Sequence, residues 1–242
     1  MEEKNELDAL REKLLYKQKQ GYDIIDVDER IKLEEYATAY KAYLNAARTE
    51  REAVTEAIAQ AEALGFVPYE RGMVLEPGTK IYKSVRGKAL MLAVMGRETL
   101  DHGANIAAAH VDSPRLDLKP IPLYEKDEIC LLKTHYYGGI KKYQWVARAL
   151  ALHGVAVRKD GTKVNVVIGE DENDPVVGVS DLLIHLAGEQ MDKNAREVVT
   201  GENLDLIVCG RPLEGEEKEP VKAMLLKLLS EKYGLDEEDL LS

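Results

Sequence analysis

Apolar residues recur at helical spacing between Asp28 and Leu64: Ile31, Ala37, Tyr40, Leu44, Ala47, Val54, Ile58 and Ala61. Glu and Lys fill the positions between them. This pattern predicts one long amphipathic helix, or two in line, and Gly65 stands where a glycine closes a helix. The preceding residues 1–20 are charged and helix-forming up to Gly21. After Gly65 the texture changes. Gly72, Pro77 and Gly78 mark a loop, and TKIYKSV and KALMLAVMG then predict two strands joined by a turn at Arg86–Gly87. The small apolar run Asn105 to Ala109 suits a strand buried on both faces, which Pro114 halts.

From Leu116 the pattern is β-rich. EICLLKTHYY, QWVARALALHGVAVRKDG and TKVNVVIGE predict strands, and Asp160–Gly161 predicts a hairpin between two of them. A helix is expected around Ser180–Gln190, with Asp181 near its N-cap, and NLDLIVCG predicts another strand. GRPLEGEEKEP is a polar linker. PVKAMLLKLLSEKYG then predicts an amphipathic helix, with Pro220 near its start and Gly234 past its end. Helix, hairpin and buried strand in succession imply an α/β layer. The closing LDEEDLLS reads as the approach to a further element, and a sheet without its later strands would leave an unpaired edge.

Composition narrows the function classes. The 242 residues are enough for one large domain or two modest ones, and 45% hydrophobic with 32% charged residues is a globular balance. No apolar run approaches the roughly 20 residues that span a bilayer, and the acidic start has neither the basic segment nor the apolar region of a signal peptide. A cytoplasmic protein is therefore expected. The net charge of −11, without a basic stripe, argues against nucleic acid and disfavours anionic membranes, so neither is expected as a partner. Cys130 and Cys209 are far apart in sequence, form no CxxC, and read as buried free thiols.

Five histidines are present, and His110 has the most informative setting. It ends the predicted buried strand, and Asp112 follows two residues later, so both project to one side of an extended backbone. Open α/β sheets place their ligands at such strand ends. A His-x-Asp pair there is either part of a metal site, with the carboxylate orienting a ligand, or a hydrogen-bonded pair without metal. His185 and Glu189, four residues apart on a predicted helix, have a spacing that can bind metal, although a solvated or capping role accounts for them. Glu216–Glu217 and Glu237–Glu238 read as solvated charge. There is no HExxH, GxSxG, P-loop or GxGxxG motif.

The longer string AAAHVDSPRLDLKP, residues 107–120, resembles the HxDSPxLxLKP signature of the aspartyl-aminopeptidase family of dinuclear zinc exopeptidases. HYYGGIKKYQW, residues 135–145, with Leu150 beyond it, resembles that family's YGG…W…L segment. The resemblance covers the whole chain but only about half of the family's usual polypeptide. It implies an α/β fold: the first part of a zinc-exopeptidase sheet domain, residues 1–118, followed by an inserted β-rich dimerisation domain and the start of the return to the catalytic domain, residues 119–242. It implies two zinc ions, with cobalt or manganese as alternatives, that activate water to remove N-terminal residues from peptide substrates. His110 aligns with a metal ligand and Asp112 with the catalytic aspartate that orients the metal site. The family's other ligands and its general base align downstream of Ser242.

Self-association into a homo-oligomer through the 119–217 region is likewise implied. In relatives a histidine shortly before the matched tryptophan reaches a neighbouring subunit's site. Here that position is Tyr143, with His135 just ahead of Gly138–Gly139, and both also suit core or interface packing. Tyr136, Tyr137 and Trp145 suit an apolar interface. Two readings follow: a metalloaminopeptidase, or a non-catalytic fragment acting as a dimerisation or interaction module.

Overall fold

The computed structural model of the chain describes residues 2–240 and divides into two units, Met1–Ala47 and Arg48–Ser242. Met1, Leu241 and Ser242, which fall in segments read above, lie outside the described residues. The first unit is helical: α1 (Glu2–Leu14), the single turn α2 (Gly21–Ile24) and α3 (Val27–Ala46). Asp26 and Glu29 close a reciprocal capping box at the start of α3, satisfying backbone N–H groups that the helix itself leaves unpaired. The apolar stripe of α3 is exposed, with Ile31, Tyr40 and Leu44 each about half accessible and Tyr36 stacked on Tyr40.

The second unit opens with α4 (Glu50–Ala63), so of the two readings of the helical pattern, one helix or two, it is two. The interruption has a local cause. Thr49 is extended, and its hydroxyl and Glu52 form a second capping box, which starts a new helix instead of continuing the old one. Gly65, at φ +85°, follows the end of α4 as expected. β1 (Val67–Pro68), β2 (Lys80–Val85) and β3 (Ala89–Val94) form a three-stranded sheet in that order, with β2 and β3 antiparallel. Arg86 and Gly87 both take positive φ, which is what a tight hairpin turn requires. α4 lies against β2 and β3 and buries Ala53, Val54 and Ala61.

The expected buried strand at Asn105–Ala109 does not form. Residues 103–114 have no regular structure, and Ile106 is 86% exposed. A run of small residues gains little as an isolated strand, and no strand among the described residues pairs with it.

The remaining elements build a larger β layer. β4 (Arg115–Lys126) and β5 (Ile129–Tyr137) make a long hairpin whose turn, Asp127–Glu128, has positive φ at both residues. β6 (Ala149–Leu150) and the separate hairpin of β7 (Leu152–Val157) and β8 (Lys163–Ile168) come next, with Asp160–Gly161 at the hairpin turn as predicted. β9 (Val177–Gly178) and β10 (Leu206–Cys209) complete a five-stranded sheet of order β4-β5-β10-β9-β6. The helix expected around Ser180–Gln190 is reduced to a 3-10 turn at Ile184–Leu186 and one turn, α5 (Gly188–Met191). Leu182, Leu183, Ile184 and Leu186 are all exposed, so no packed face stabilises a longer helix. Asp181 accepts from Leu182 N–H at 2.8 Å and Gln190 Nε2 at 2.9 Å, and caps no helix.

α6 (Pro220–Tyr233) packs across β4, β5 and β10 and buries Val221, Leu225 and Leu229 against Leu132, Leu206 and Val208. One oxygen of Glu125, on β4, accepts from Val221 N–H and Lys222 N–H, both at 2.9 Å, placing a carboxylate on the positive end of the helix. Gly234, in the left-handed region, closes it. Beneath this layer the buried Thr134 hydroxyl donates to Leu204 C=O at 2.7 Å, and Asp205 accepts from Tyr124 Oη at 2.6 Å. Burial, with the adjacent Asp205, pushes the Tyr124 phenol up to about 12.

Leu225→Ala is expected to lower unfolding free energy in urea by about 2–5 kcal/mol, through lost burial and the cavity left behind. Ile31→Ala, on the exposed stripe of α3, is expected to change it by no more than about 0.5 kcal/mol. Equal losses at the two positions would contradict a core centred beneath α6.

Candidate functional site

His110 and Asp112 sit in the irregular segment that leads into β4, and the structure brings them together. His110 Nδ1 is 2.9 Å from the Asp112 carbonyl oxygen and 3.3 Å from Asp112 Oδ1, and the imidazole is 82% exposed. The other carboxylate oxygen, Oδ2, accepts a 3.0 Å hydrogen bond from the Tyr137 hydroxyl. That bond crosses 25 residues of sequence and follows from strand register, because Arg115 at the start of β4 pairs with Tyr137 at the end of β5. Gly138, at φ +77°, turns the chain just beyond and lies against Pro114.

Arg115 ties this corner to α4. Its guanidinium lies 4.2 Å from the centre of the Tyr137 ring and 2.7 Å from Asp117, and it reaches Glu50 at 3.5 Å. Glu50 is also 3.3 Å from Lys88 in the β2–β3 turn. A cation over an aromatic face restrains the ring, and the ring carries the hydroxyl that holds Asp112. The Tyr137 bond holds the Asp112 carboxyl below its ordinary value of 3.8 and raises the Tyr137 phenol above 10.0. Tyr137 was legible in the sequence only as an apolar anchor, and Arg115 and Glu50 gave no signal, because their contacts depend on strand pairing.

The remaining candidates are dispersed. His185 and Glu189 fall on separate short turns and are exposed, so they do not form the helical pair that their spacing permits. Glu237 pairs with Lys222 at 2.8 Å and Glu238 contacts Lys159, so these carboxylates are ion-pair partners and not bare solvated charge. His135 stacks on Tyr136, Tyr143 is 40% exposed, and Trp145 packs against the core. His153 lies between Glu52 at 2.8 Å and Glu170 at 3.1 Å, tying the β7–β8 hairpin to the start of α4. Among the described residues no three His, Cys, Asp or Glu side chains converge as a metal site, whereas a catalytic zinc takes about three protein ligands. His110 and Asp112 therefore do not make a zinc site with the described residues alone. No helix among those residues is long and apolar enough to cross a membrane.

Comparison with known proteins gives this corner a context. A family profile described as aminopeptidase I zinc metalloprotease (M18) matches residues 43–242. The chain is 48% identical over 234 residues to a probable M18 family aminopeptidase 1 of Clostridium acetobutylicum, covering 95% of this chain and 50% of that protein. It is 45% identical over 210 residues to a similarly named protein of Thermotoga maritima, covering 87% and 46%. Among solved structures, an M18 aminopeptidase from Thermotoga maritima superposes with a TM-score of 0.86 at 42% identity, over 94% of this chain and 49% of the other. Aminopeptidase I from Clostridium acetobutylicum gives 0.80 at 47% identity, over 95% and 51%. The chain spans about half the length of the curated relatives it matches.

Replacing Tyr137 by Phe removes the bond that lowers Asp112, so its carboxyl is expected to titrate closer to 3.8, as read by carboxyl carbon NMR across a pH series. A carboxyl held low in the folded state contributes stability above its ordinary value and loses it as pH falls through the lowered one. The stability difference between wild type and Y137F is therefore expected to shrink with acidification over that interval. An unchanged Asp112 titration would rule out the hydrogen bond as the cause.

Proposed function

Because this chain belongs to the aminopeptidase I zinc metalloprotease (M18) family, we propose that it is part of an aminopeptidase that removes N-terminal residues from peptides with the aid of zinc. The observation that carries this reading is the contact of His110 with Asp112 inside the signature HVDSPRLDLKP, in a chain 48% identical to a named M18 aminopeptidase. In this reading His110 supplies an imidazole ligand, and Asp112 holds that ligand's orientation through its 3.3 Å contact with Nδ1. Tyr137 and Arg115 fix Asp112 in turn. The rest of the ligand set, for two zinc ions or for cobalt or manganese in their place, has to come from outside the described residues.

The same reading assigns residues 1–118 to the catalytic α/β domain. It assigns 119–242 to the inserted dimerisation domain and the return from it. Homo-oligomer contacts then run through the 119–217 region, and the compartment is the cytoplasm. The incomplete ligand set among the described residues supports a second reading, in which the chain by itself is a non-catalytic module that associates with copies of itself or with longer relatives.

The purified chain, dialysed against zinc-free buffer, is expected to retain no stoichiometric zinc. Mixed with the separately made second half of the Clostridium acetobutylicum relative, it is expected to take up zinc and release amino acids from aminoacyl-4-nitroanilides. Asp112→Asn in that mixture is expected to cost about 10–100-fold in activity, and His110→Ala to abolish it. Association of the halves without zinc uptake or activity would leave the module reading standing. Two zinc ions bound by the chain alone would contradict the assignment of the remaining ligands.

A further inference from the structure

β10 runs antiparallel to β5 with Leu206 opposite Leu132 and Ile207 opposite Leu131. Strict alternation would next set Val208 against Cys130 and carry Cys209 past it onto the other face. The ladder instead skips one residue, and Cys209 becomes the Cα partner of Cys130. A bulge of this kind sets two residues of one strand against one of its neighbour, and here it brings together the only two cysteines of the chain. Both are free thiols. Directly opposed residues in an antiparallel pair have Cα atoms about 4.5–5.5 Å apart. Disulfides span Cα separations of about 4.4–6.8 Å.

The two thiols are not equivalent. Cys130 has no exposed surface, and burial, followed by the charge of Cys209, pushes its thiol up to about 12. Cys209 is only partly buried, at the end of β10, where its Sγ lies 3.5 Å from the Arg211 carbonyl oxygen. Cys209 is thus the more accessible of the two residues, and its Cα partner Cys130 is fully shielded.

We propose that Cys130 and Cys209 form a modification site, a dithiol that a small disulfide oxidant such as oxidised glutathione converts into a cross-strand disulfide between β5 and β10. The Cys209 thiolate attacks one glutathione sulfur, forming a mixed disulfide and expelling one glutathione thiolate. The Cys130 sulfur then attacks Cys209 Sγ and expels the second glutathione, whose departing thiolate takes up the Cys130 proton. The two protein thiols lose two electrons and two protons, and glutathione disulfide is reduced to two thiols. The product joins β5 to β10, whose approach is already tied to β5 where Leu204, two residues ahead of β10, accepts from the Thr134 hydroxyl. It also closes the long loop between positions 130 and 209 in the unfolded chain, which raises stability. The inference does not depend on the aminopeptidase reading.

The reduced chain is incubated with oxidised glutathione at about pH 8, where thiols begin to ionise, and then quenched in acid. The Ellman thiol count in denaturant is expected to fall from two to none, and the intact mass to fall by two hydrogens. Peptides containing Cys130 and Cys209 are expected to be recovered joined, and Tm to rise by several degrees and return after dithiothreitol. Cys130→Ser is expected to stop at a stable glutathione adduct on Cys209, and Cys209→Ser to remain unmodified with an unchanged Tm. Wild type that stops at the glutathione adduct, keeps both thiols, or links two chains through Cys209 would overturn the proposal.

Discussion

The antiparallel register of β4 against β5 is the constraint on which both the core and the candidate site depend. Its turn, Asp127–Glu128, sets Lys126 opposite Ile129, and the ladder ends with Arg115 opposite Tyr137. In this register Cys130, Leu132 and Thr134 face inward on alternate positions, beneath α6 and against Leu204 and Leu206. A slip of one residue would turn those three outward and move Tyr137 away from Asp112. The same pairing that buries the core thus delivers a hydroxyl to a carboxylate 25 residues earlier in the chain.

This coupling explains how an exposed, irregular segment presents an ordered pair of side chains. Residues 103–114 receive no support from a strand of their own. Asp112 is instead held from outside by Tyr137, whose ring is restrained by Arg115, which in turn reaches Glu50 on α4. His110 then contacts Asp112 through both its carbonyl and its carboxylate. The order of the corner is thus borrowed from two packed layers, the β4–β5 hairpin and the α4 face of the smaller sheet.

Features set by local chemistry were legible in the sequence. The Arg86–Gly87 and Asp160–Gly161 turns, Gly65 and Gly234 at helix ends, Pro220 at the start of α6, and the pairing of His110 with Asp112 all depend on residues a few positions apart. Features set by distant partners were not. β4 lay within the stretch legible only as β-rich from Leu116; it is an edge strand, where the missing N–H groups of Pro120 and Pro122 are tolerated. Asn105–Ala109 has the composition of a buried strand, but composition cannot supply the neighbours that would bury it. The helical pattern near Ser180–Gln190 met no surface to pack on. The meeting of Cys130 with Cys209 turns on one extra residue in β10, which leaves no mark in the pattern of apolar positions.

The prolines of β4 carry a further consequence, for the behaviour of the chain at high concentration. An edge strand with an unbroken ladder is a template on which a second chain can continue the sheet, and β4 is interrupted between Leu118 and Leu123, where Pro120 and Pro122 have no N–H to donate. The opposite end of the larger sheet is the two-residue β6, too short to seed a further strand. β3 has neither safeguard: it is six residues long, with Met91, Leu92 and Val94 exposed and a single partner strand among the described residues. The smaller sheet therefore offers the more open edge, which a lysine on the outer rim of β3 would guard against a second chain.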